Sequence, residues 1–152
     1  MLFLFFGVAG AVFGLDLTAK ALFYPGVNIN LIPGVISIHS LPGLNTGASF
    51  SIFSGSVFWL ALFSGAVIVI GLIFYFRLRS RSVLLNIALG GIFGGALGNL
   101  YDRIFLGGVR DFFRLDFMDF PIFNVADVCL NIGFVLLAVW LLLFYKGANA
   151  KH

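Results

Sequence analysis

The chain has 152 residues, of which 61% are hydrophobic and only 10% are charged. This composition excludes a soluble globular protein, which needs more charge to cover its surface, and indicates that lipid contacts most of the chain. The single cysteine excludes an internal disulfide and a cysteine-rich metal site. The net charge is +3, and all six acidic residues are aspartates.

Four segments are long enough to cross a bilayer, which takes about 20 apolar residues in a helix. We therefore predict an all-α polytopic membrane protein, with one membrane-embedded domain over residues 1–152. The predicted spans are residues 1–23, 56–76, 82–102 and 126–145. A secretory signal peptide is the alternative for the first span, but a basic start and a small-residue cleavage site are missing. The motif GGIFGG in the third span predicts close helix packing.

The two longer connections predict structure outside the membrane. Residues 24–55 alternate short β-branched runs with Pro-Gly and Gly breaks, and they carry no formal charge. This pattern predicts a small antiparallel sheet that lies against the membrane surface and suits an apolar ligand. The outer loop, residues 103–125, mixes phenylalanine with charge. It predicts a short amphipathic interfacial helix within residues 104–123.

Basic residues predict the orientation of the spans. Five of them lie between the second and third spans or after the fourth, without an accompanying acid: Arg77, Arg79, Arg81, Lys146 and Lys151. The positive-inside rule places these segments, and with them both termini, in the cytoplasm. All six aspartates then fall on the outer side, where we expect the functional site.

Four aspartates, from three spans and the outer loop, share roughly one depth: Asp16, Asp102, Asp111 and Asp127. Ionisable groups near a membrane are costly and usually serve a function or a specific pairing. The third and fourth spans each carry the spacing Asn-x-x-Asp, which places the two side chains of a pair on one helix face. The two pairs are Asn99 with Asp102 and Asn124 with Asp127.

Several of the aspartates also have a purely structural interpretation. Asp16 and Lys20 are spaced i, i+4 and can form an ion pair, with Lys20 extending outward along the helix. Asp127 can be an acid in the first turn of a helix that Asn124 caps. The remaining two acids are interpreted as solvated loop charges: Asp116 and Asp119.

Once other catalytic groups are excluded, the carboxylates remain as the candidate catalytic groups. Histidine occurs only in the predicted sheet and at the tail, so a serine–histidine or cysteine–histidine nucleophile is disfavoured, and the zinc-protease motif HExxH is missing. Two carboxylates that approach closely share a proton, and the pair can then activate water and protonate a peptide carbonyl. Reasoning from the residues alone does not decide which two aspartates form the pair. The shared Asn-x-x-Asp spacing favours Asp102 with Asp127. Arg103, however, should keep Asp102 ionised, which favours Asp111 as the partner of Asp127.

Two other classes remain as alternatives. A small membrane transporter or channel subunit could use the aspartates as a proton or cation site on the outer side. Such a protein would be expected to carry polar residues through to the inner side, but here the ionisable groups stop at the outer boundary. A non-catalytic membrane scaffold does not explain four carboxylates at one depth.

Five blocks of the sequence, from about Asp16 to Asn131, resemble bacterial lipoprotein signal peptidase, also called signal peptidase II. The blocks are Asp16 with Lys20, NTGASF at 45–50, GGALGNLYDR at 94–103, VRDF at 109–112 and FPIFNVAD at 120–127. Each block is weak alone, but five in this order on four spans are specific. Arg110 departs from the apolar residue that is usual in the family.

The resemblance implies an aspartic intramembrane endopeptidase of the bacterial cytoplasmic membrane, with a periplasm-side β-cradle over residues 24–55. Such enzymes remove signal peptides from diacylglyceryl-modified prolipoproteins by cutting on the amino side of the lipidated cysteine, and the cyclic peptide globomycin inhibits them. The catalytic aspartates then correspond to Asp111 and Asp127. Substrate-binding or supporting roles correspond to Asp16, Lys20, Asn45, Gly47, Asn99, Asp102, Arg103, Asn124 and Ala126.

We also expect distinct roles for the two aspartates and particular partners for the protein. Asp127 begins a helix, whose dipole favours an ionised carboxylate, so we expect it to activate water while Asp111 starts protonated. The partners are lipid-modified prolipoproteins and membrane lipids, whose acyl chains would lie in a lipid-facing opening between helices. We expect no nucleic acid, no metal, nucleotide or redox cofactor, and a monomer.

Overall fold

Four long helices and a three-stranded sheet make up the computed structural model, which describes residues 1–40, 42–47, 57–78 and 82–145. The helices are α1 (Leu2–Phe23), α2 (Val57–Leu78), α3 (Val83–Leu106) and α4 (Val125–Trp140), with a π-helical turn at Leu141–Tyr145. The strands are β1 (Asn28–Ile32), β2 (Ile36–His39) and β3 (Phe113–Leu115). The predicted fold class is confirmed.

All four helices are long and apolar enough to cross a membrane. Their apolar side chains are largely exposed, as expected where lipid rather than protein is the packing partner. α3 is the exception, because half of its apolar window is buried, against 6% for α2. It packs against α1, α2 and α4 and is therefore the central helix.

Glycines on α3 allow its neighbours to approach closely. A Cβ atom on Gly94 would lie 2.5 Å from the carbonyl oxygen of Ala9 in α1, and one on Gly95 would lie 2.6 Å from that of Ala126 in α4. Both distances are too short for a side chain. The prediction that GGIFGG permits close helix packing is thus confirmed.

The sheet joins two distant parts of the chain. β1 and β2 form an antiparallel hairpin, and β3 pairs antiparallel with the other edge of β2. Ile38 in β2 is buried, whereas all five residues of β1 are exposed. The sheet corresponds to the predicted β-cradle, although residues 41 and 48–55 of that prediction lie outside the described residues.

The predicted interfacial helix within residues 104–123 is wrong. α3 continues to Leu106 and ends at Gly107, whose φ of 77° is a left-handed conformation that glycine adopts readily. Residues 107–124, all of which are described, contain no helix. Instead, the backbone N–H of Phe113 donates to the carbonyl of Phe123 at 2.8 Å, and β3 pairs with β2. Non-local pairing has overridden the local amphipathic pattern.

The orientation prediction rests mainly on basic residues that the structure does not describe. Arg77 lies in the last turn of α2. The others lie outside the described residues: Arg79, Arg81, Lys146 and Lys151.

Candidate active site

A cavity of about 1190 Å³ lies where α3 ends and α4 begins, and six of the predicted site residues line it. They are Asn45, Gly47, Asn99, Arg103, Asp111 and Asp127. The other predicted residues are fully buried behind the wall: Asp16, Lys20, Asp102, Asn124 and Ala126. The structure therefore brings all of them to one region, in two layers.

Asp127 is fixed at the start of α4 by its own cap. The Asn124 side-chain oxygen accepts from the backbone N–H of Asp127 at 3.0 Å, and the Asp127 carboxylate accepts from the backbone N–H of Asn124 at 3.2 Å. This capping box confirms the structural interpretation of the pair. The second Asp127 oxygen accepts from the Asn99 amide at 2.8 Å. Capping has not removed this carboxylate from the cavity, because Asp127 still lines it.

Asp111 reaches the same wall from the loop that follows α3. Its carboxylate accepts from the amide of Asn45 at 2.8 Å and from the amide of Asn124 at 2.7 Å. Burial raises the pKa of Asp111 to about 6, because it penalises the charged form more than these two hydrogen bonds stabilise it. The nearby charge of Asp127 raises the pKa further, and the more distant Lys20 opposes this rise.

A line of ionic groups, the charged row, lies behind the cavity and consists of Asp16, Lys20 and Asp102, which are fully buried, and of Arg110, which is half-buried. The Lys20 ammonium is 2.7 Å from Asp16 and 3.3 Å from Asp102, and Arg110 is 2.7 Å from Asp102. Lys20 is fully buried, so it pairs with Asp16 as expected but does not extend outward. Each charge in the row touches one of opposite sign, which offsets the cost of burying it.

The charged row holds the site residues in place through two further contacts. The Lys20 ammonium donates to the Asn99 side-chain oxygen at 3.0 Å. Asp16 accepts from the backbone N–H of Ala126 at 2.9 Å, at the first turn of α4. The row therefore links α1, α3 and α4 just below Asp127.

Asp102 is bound by a residue that sequence analysis treated only as a departure from the family pattern. Arg110 donates from its guanidinium to both carboxylate oxygens, at 3.2 and 2.7 Å, and from its backbone N–H at 3.1 Å. We had expected Arg103 to serve this purpose, but Arg103 lines the cavity, where it interacts electrostatically with Asp127, Asp111 and Asp102. Asp102 lies behind the wall, so the geometry favours Asp111 as the neighbour of Asp127.

Asn131 is a second residue that sequence reasoning missed. It is exposed on α4 one turn beyond Asp127, lines the cavity, and donates from its amide to the Asp127 carbonyl at 2.9 Å. The available signal was a lone polar residue four positions after Asp127 in an otherwise apolar span.

Comparisons with known proteins give one consistent result. A family model described as signal peptidase (SPase) II matches residues 8–143. A lipoprotein signal peptidase of Enterococcus faecalis is 32% identical over 153 residues, which cover 98% of this chain and 94% of that protein. A lipoprotein signal peptidase of Parasynechococcus marenigrum is 42% identical over 134 residues, which cover 84% and 81%.

Solved structures show the same fold. A bacterial membrane enzyme determined by the in meso method at 2.3 Å resolution matches with a TM-score of 0.79 and 30% identity, over 95% of this chain and 89% of that one. A second such structure, at 1.9 Å, matches with a TM-score of 0.80 and 29% identity, over 90% and 91%. These similarities favour a peptidase over a transporter, channel subunit or scaffold, and they show that this multi-pass membrane protein belongs to the signal peptidase II family.

Proposed function

We propose that this protein is an aspartic endopeptidase that removes signal peptides from diacylglyceryl-modified prolipoproteins, cleaving on the amino side of the lipidated cysteine. The observation that carries the proposal is that Asp111 and Asp127 line one cavity and both hydrogen-bond to Asn124. The names of the relatives support the substrate class.

In the proposed reaction, the two aspartates share one proton. Asp127 accepts a proton from water, the resulting hydroxyl bonds to the peptide carbon, and Asp111 gives its proton to the carbonyl oxygen. The C–N bond of this diol then breaks as Asp127 passes its proton to the leaving nitrogen and the diol returns one to Asp111. Both carboxyls regain their starting states.

The environments of the two carboxyls support this division of roles. Asp127 accepts two N–H hydrogen bonds at a helix N-terminus, a setting that stabilises a carboxylate. Asp111 has a raised pKa of about 6, and a bound substrate that expels water would favour its protonated form further.

The apolar lining of the cavity supports a lipid-modified substrate. Its α4 wall carries exposed apolar side chains, including Val128, Ile132 and Phe134. We propose that the acyl chains and the signal peptide lie against this wall. Asn45, Gly47, Asn99 and Arg103 are then placed to bind the peptide backbone near the dyad, while the buried residues behind the wall hold their positions.

The proposal includes a place in the cell. The protein would act as a monomeric single domain in the bacterial cytoplasmic membrane, with both termini in the cytoplasm and the site near the outer face. The charge distribution supports this orientation, since the aspartates lie toward the sheet whereas Arg77 ends α2.

A gel-shift cleavage assay with purified protein tests the proposal. The substrate is a diacylglyceryl-modified prolipoprotein, and its unmodified form is the matched control. We expect Asp111→Asn and Asp127→Asn each to lower cleavage by roughly 10³-fold or more, as loss of an essential catalytic group does. Asp102→Asn should be less stable, since it leaves two cations under-compensated, yet retain measurable cleavage.

Thermal unfolding of each variant separates loss of chemistry from loss of fold. Cleavage by folded Asp111→Asn but not by folded Asp102→Asn would assign the chemistry to Asp102 and Asp127. If folded wild-type protein cut neither form of the precursor, the peptidase proposal would be wrong.

A further inference from the structure

The cavity that Asp111 and Asp127 line is here called the dyad cavity. A second cavity, here called the outer cavity, adjoins it beside β3. It has a volume of about 530 Å³, and its walls come from His39, residues 114–120 and Ile122. Four residues line both cavities: Leu115, Asp119, Phe120 and Ile122. A ligand that spans the dyad can therefore continue into the outer cavity without leaving the protein surface.

The dyad cavity and the outer cavity differ in polarity, and this difference determines which part of a substrate enters the outer cavity. From Asp127 the dyad cavity runs along α4 to Phe134, about 10 Å into the apolar part of the bundle. An apolar signal peptide and acyl chains fit that end. The outer cavity carries ionic side chains next to the sheet, and it fits a polar, water-facing chain. The residues that follow the lipidated cysteine have this character.

The charges in the outer cavity are not balanced. Asp116 accepts from the hydroxyl of Ser37 at 2.8 Å and lies 3.6 Å from Arg114, so these two charges offset each other. Asp119, at the junction of the two cavities, has no hydrogen bond or ion pair with any residue that the structure describes. Its carboxylate is free to meet a charged group of the ligand.

From these observations we propose that the outer cavity binds the residue immediately after the lipidated cysteine, and that Asp119 makes it favour a basic side chain over an acidic one there. This inference rests on the proposed peptidase function and extends it to the mature side of the cleavage site. Because Asp119 is exposed, the preference is modest. An exposed ion pair corresponds to a difference of about two- to fivefold in kcat/KM.

Three diacylglyceryl-modified precursors, identical except for Lys, Gln or Glu after the cysteine, test this inference. For wild-type protein we expect kcat/KM to be highest with Lys and lowest with Glu. Asp119→Asn should remove this order. Arg114→Gln should strengthen the preference for Lys, because it frees Asp116 from its partner.

Salt separates an electrostatic role from a merely structural one. The preference should shrink between about 0.02 and about 0.5 M salt, because screening weakens exposed charge pairs. Equal cleavage of the Lys and Glu precursors by wild-type protein, or an unchanged preference in Asp119→Asn, would overturn the inference while the peptidase function stands. If wild-type protein cut none of the three, both the function and the inference would fall.

Discussion

Asn124 shows how one side chain can organise two carboxyls. Its oxygen accepts from the backbone of Asp127, and its amide donates to Asp111 at 2.7 Å and to the side-chain oxygen of Asn99 at 3.0 Å. An aspartate here would lack the amide donor, and an alanine would lack both groups. A fully buried residue, which takes no part in the proposed proton transfers, thus helps to position both carboxyls.

The pKa of Asp111 predicts the pH dependence of cleavage. Because burial raises this pKa to about 6, the free protein holds the required proton below that pH and loses it above. We expect kcat/KM to fall about tenfold per pH unit once the pH exceeds about 6, measured with a fixed precursor between about pH 5 and 9.

Asn45 offers a directional control for this prediction. Its hydrogen bond stabilises the charged form of Asp111 and lowers the pKa, so Asn45→Ala should move the falling limb to higher pH, whatever it does to the maximum rate. Nearby charges on Asp127 and Lys20 act on the same pKa, so salt should be held constant. A kcat/KM that stayed level or rose between pH 6 and 8 would contradict the role given to Asp111.

At the scale of elements, the contact between α3 and α4 determines whether the site holds together. Alanine at Gly95 would place its Cβ 2.6 Å from the carbonyl oxygen of Ala126, the residue before Asp127. α4 would have to move away, so we expect Gly95→Ala to lower the free energy of unfolding by about 1–3 kcal/mol and to reduce cleavage. Thermal unfolding in detergent and the cleavage assay measure the two effects.

Gly65→Ala is the matched control, because a Cβ on Gly65 in α2 would meet nothing within 4 Å. It should keep full activity and wild-type stability. Indistinguishable behaviour of the two variants would mean that α3 and α4 are not held as closely as the structure indicates.

The helices were predictable from sequence because each span is a long apolar run with few charged residues. β3 was not predictable, because it has only three residues and its pairing depends on contacts such as that of Ser37 with Asp116, 79 residues apart. The third span was predicted to end at residue 102, whereas the helix continues to Leu106, before Gly107. The residues that follow Gly107 mix aromatic and charged side chains, and this pattern fits a helix as well as an extended chain.

The site was predictable only in part for the same reason. Motifs carried by α3 and the first turn of α4 could be aligned with a known pattern. The hydrogen bond between Arg110 and Asp102 could not be predicted, since it depends on how the loop after Gly107 turns back over the end of α3.

At the scale of the whole molecule, the proposed orientation can be tested by labelling. In a Cys129→Ala background, Asn28→Cys on exposed β1 should react in intact spheroplasts with a maleimide that cannot cross membranes. Arg77→Cys, at the far end of α2, should react only after lysis, because the positive-inside rule places it in the cytoplasm.

Labelling after lysis serves as the control, since both exposed positions should then react equally. The reverse pattern in intact cells would place the cavity on the cytoplasmic side. Precursors that have already been exported could then not reach it.

The charged row also bears on how such a peptidase adapts. Its formal charges alternate in sign and cancel, but an apolar residue in place of Arg110 would leave a net negative charge beneath the dyad. We expect that charge to oppose the ionisation of Asp111, and under the proposed mechanism cleavage would then extend to higher pH. Arg110 lines neither described cavity. If the proposed mechanism holds, position 110 is a place where evolution can shift the pH range of cleavage while the residues that line both cavities stay the same.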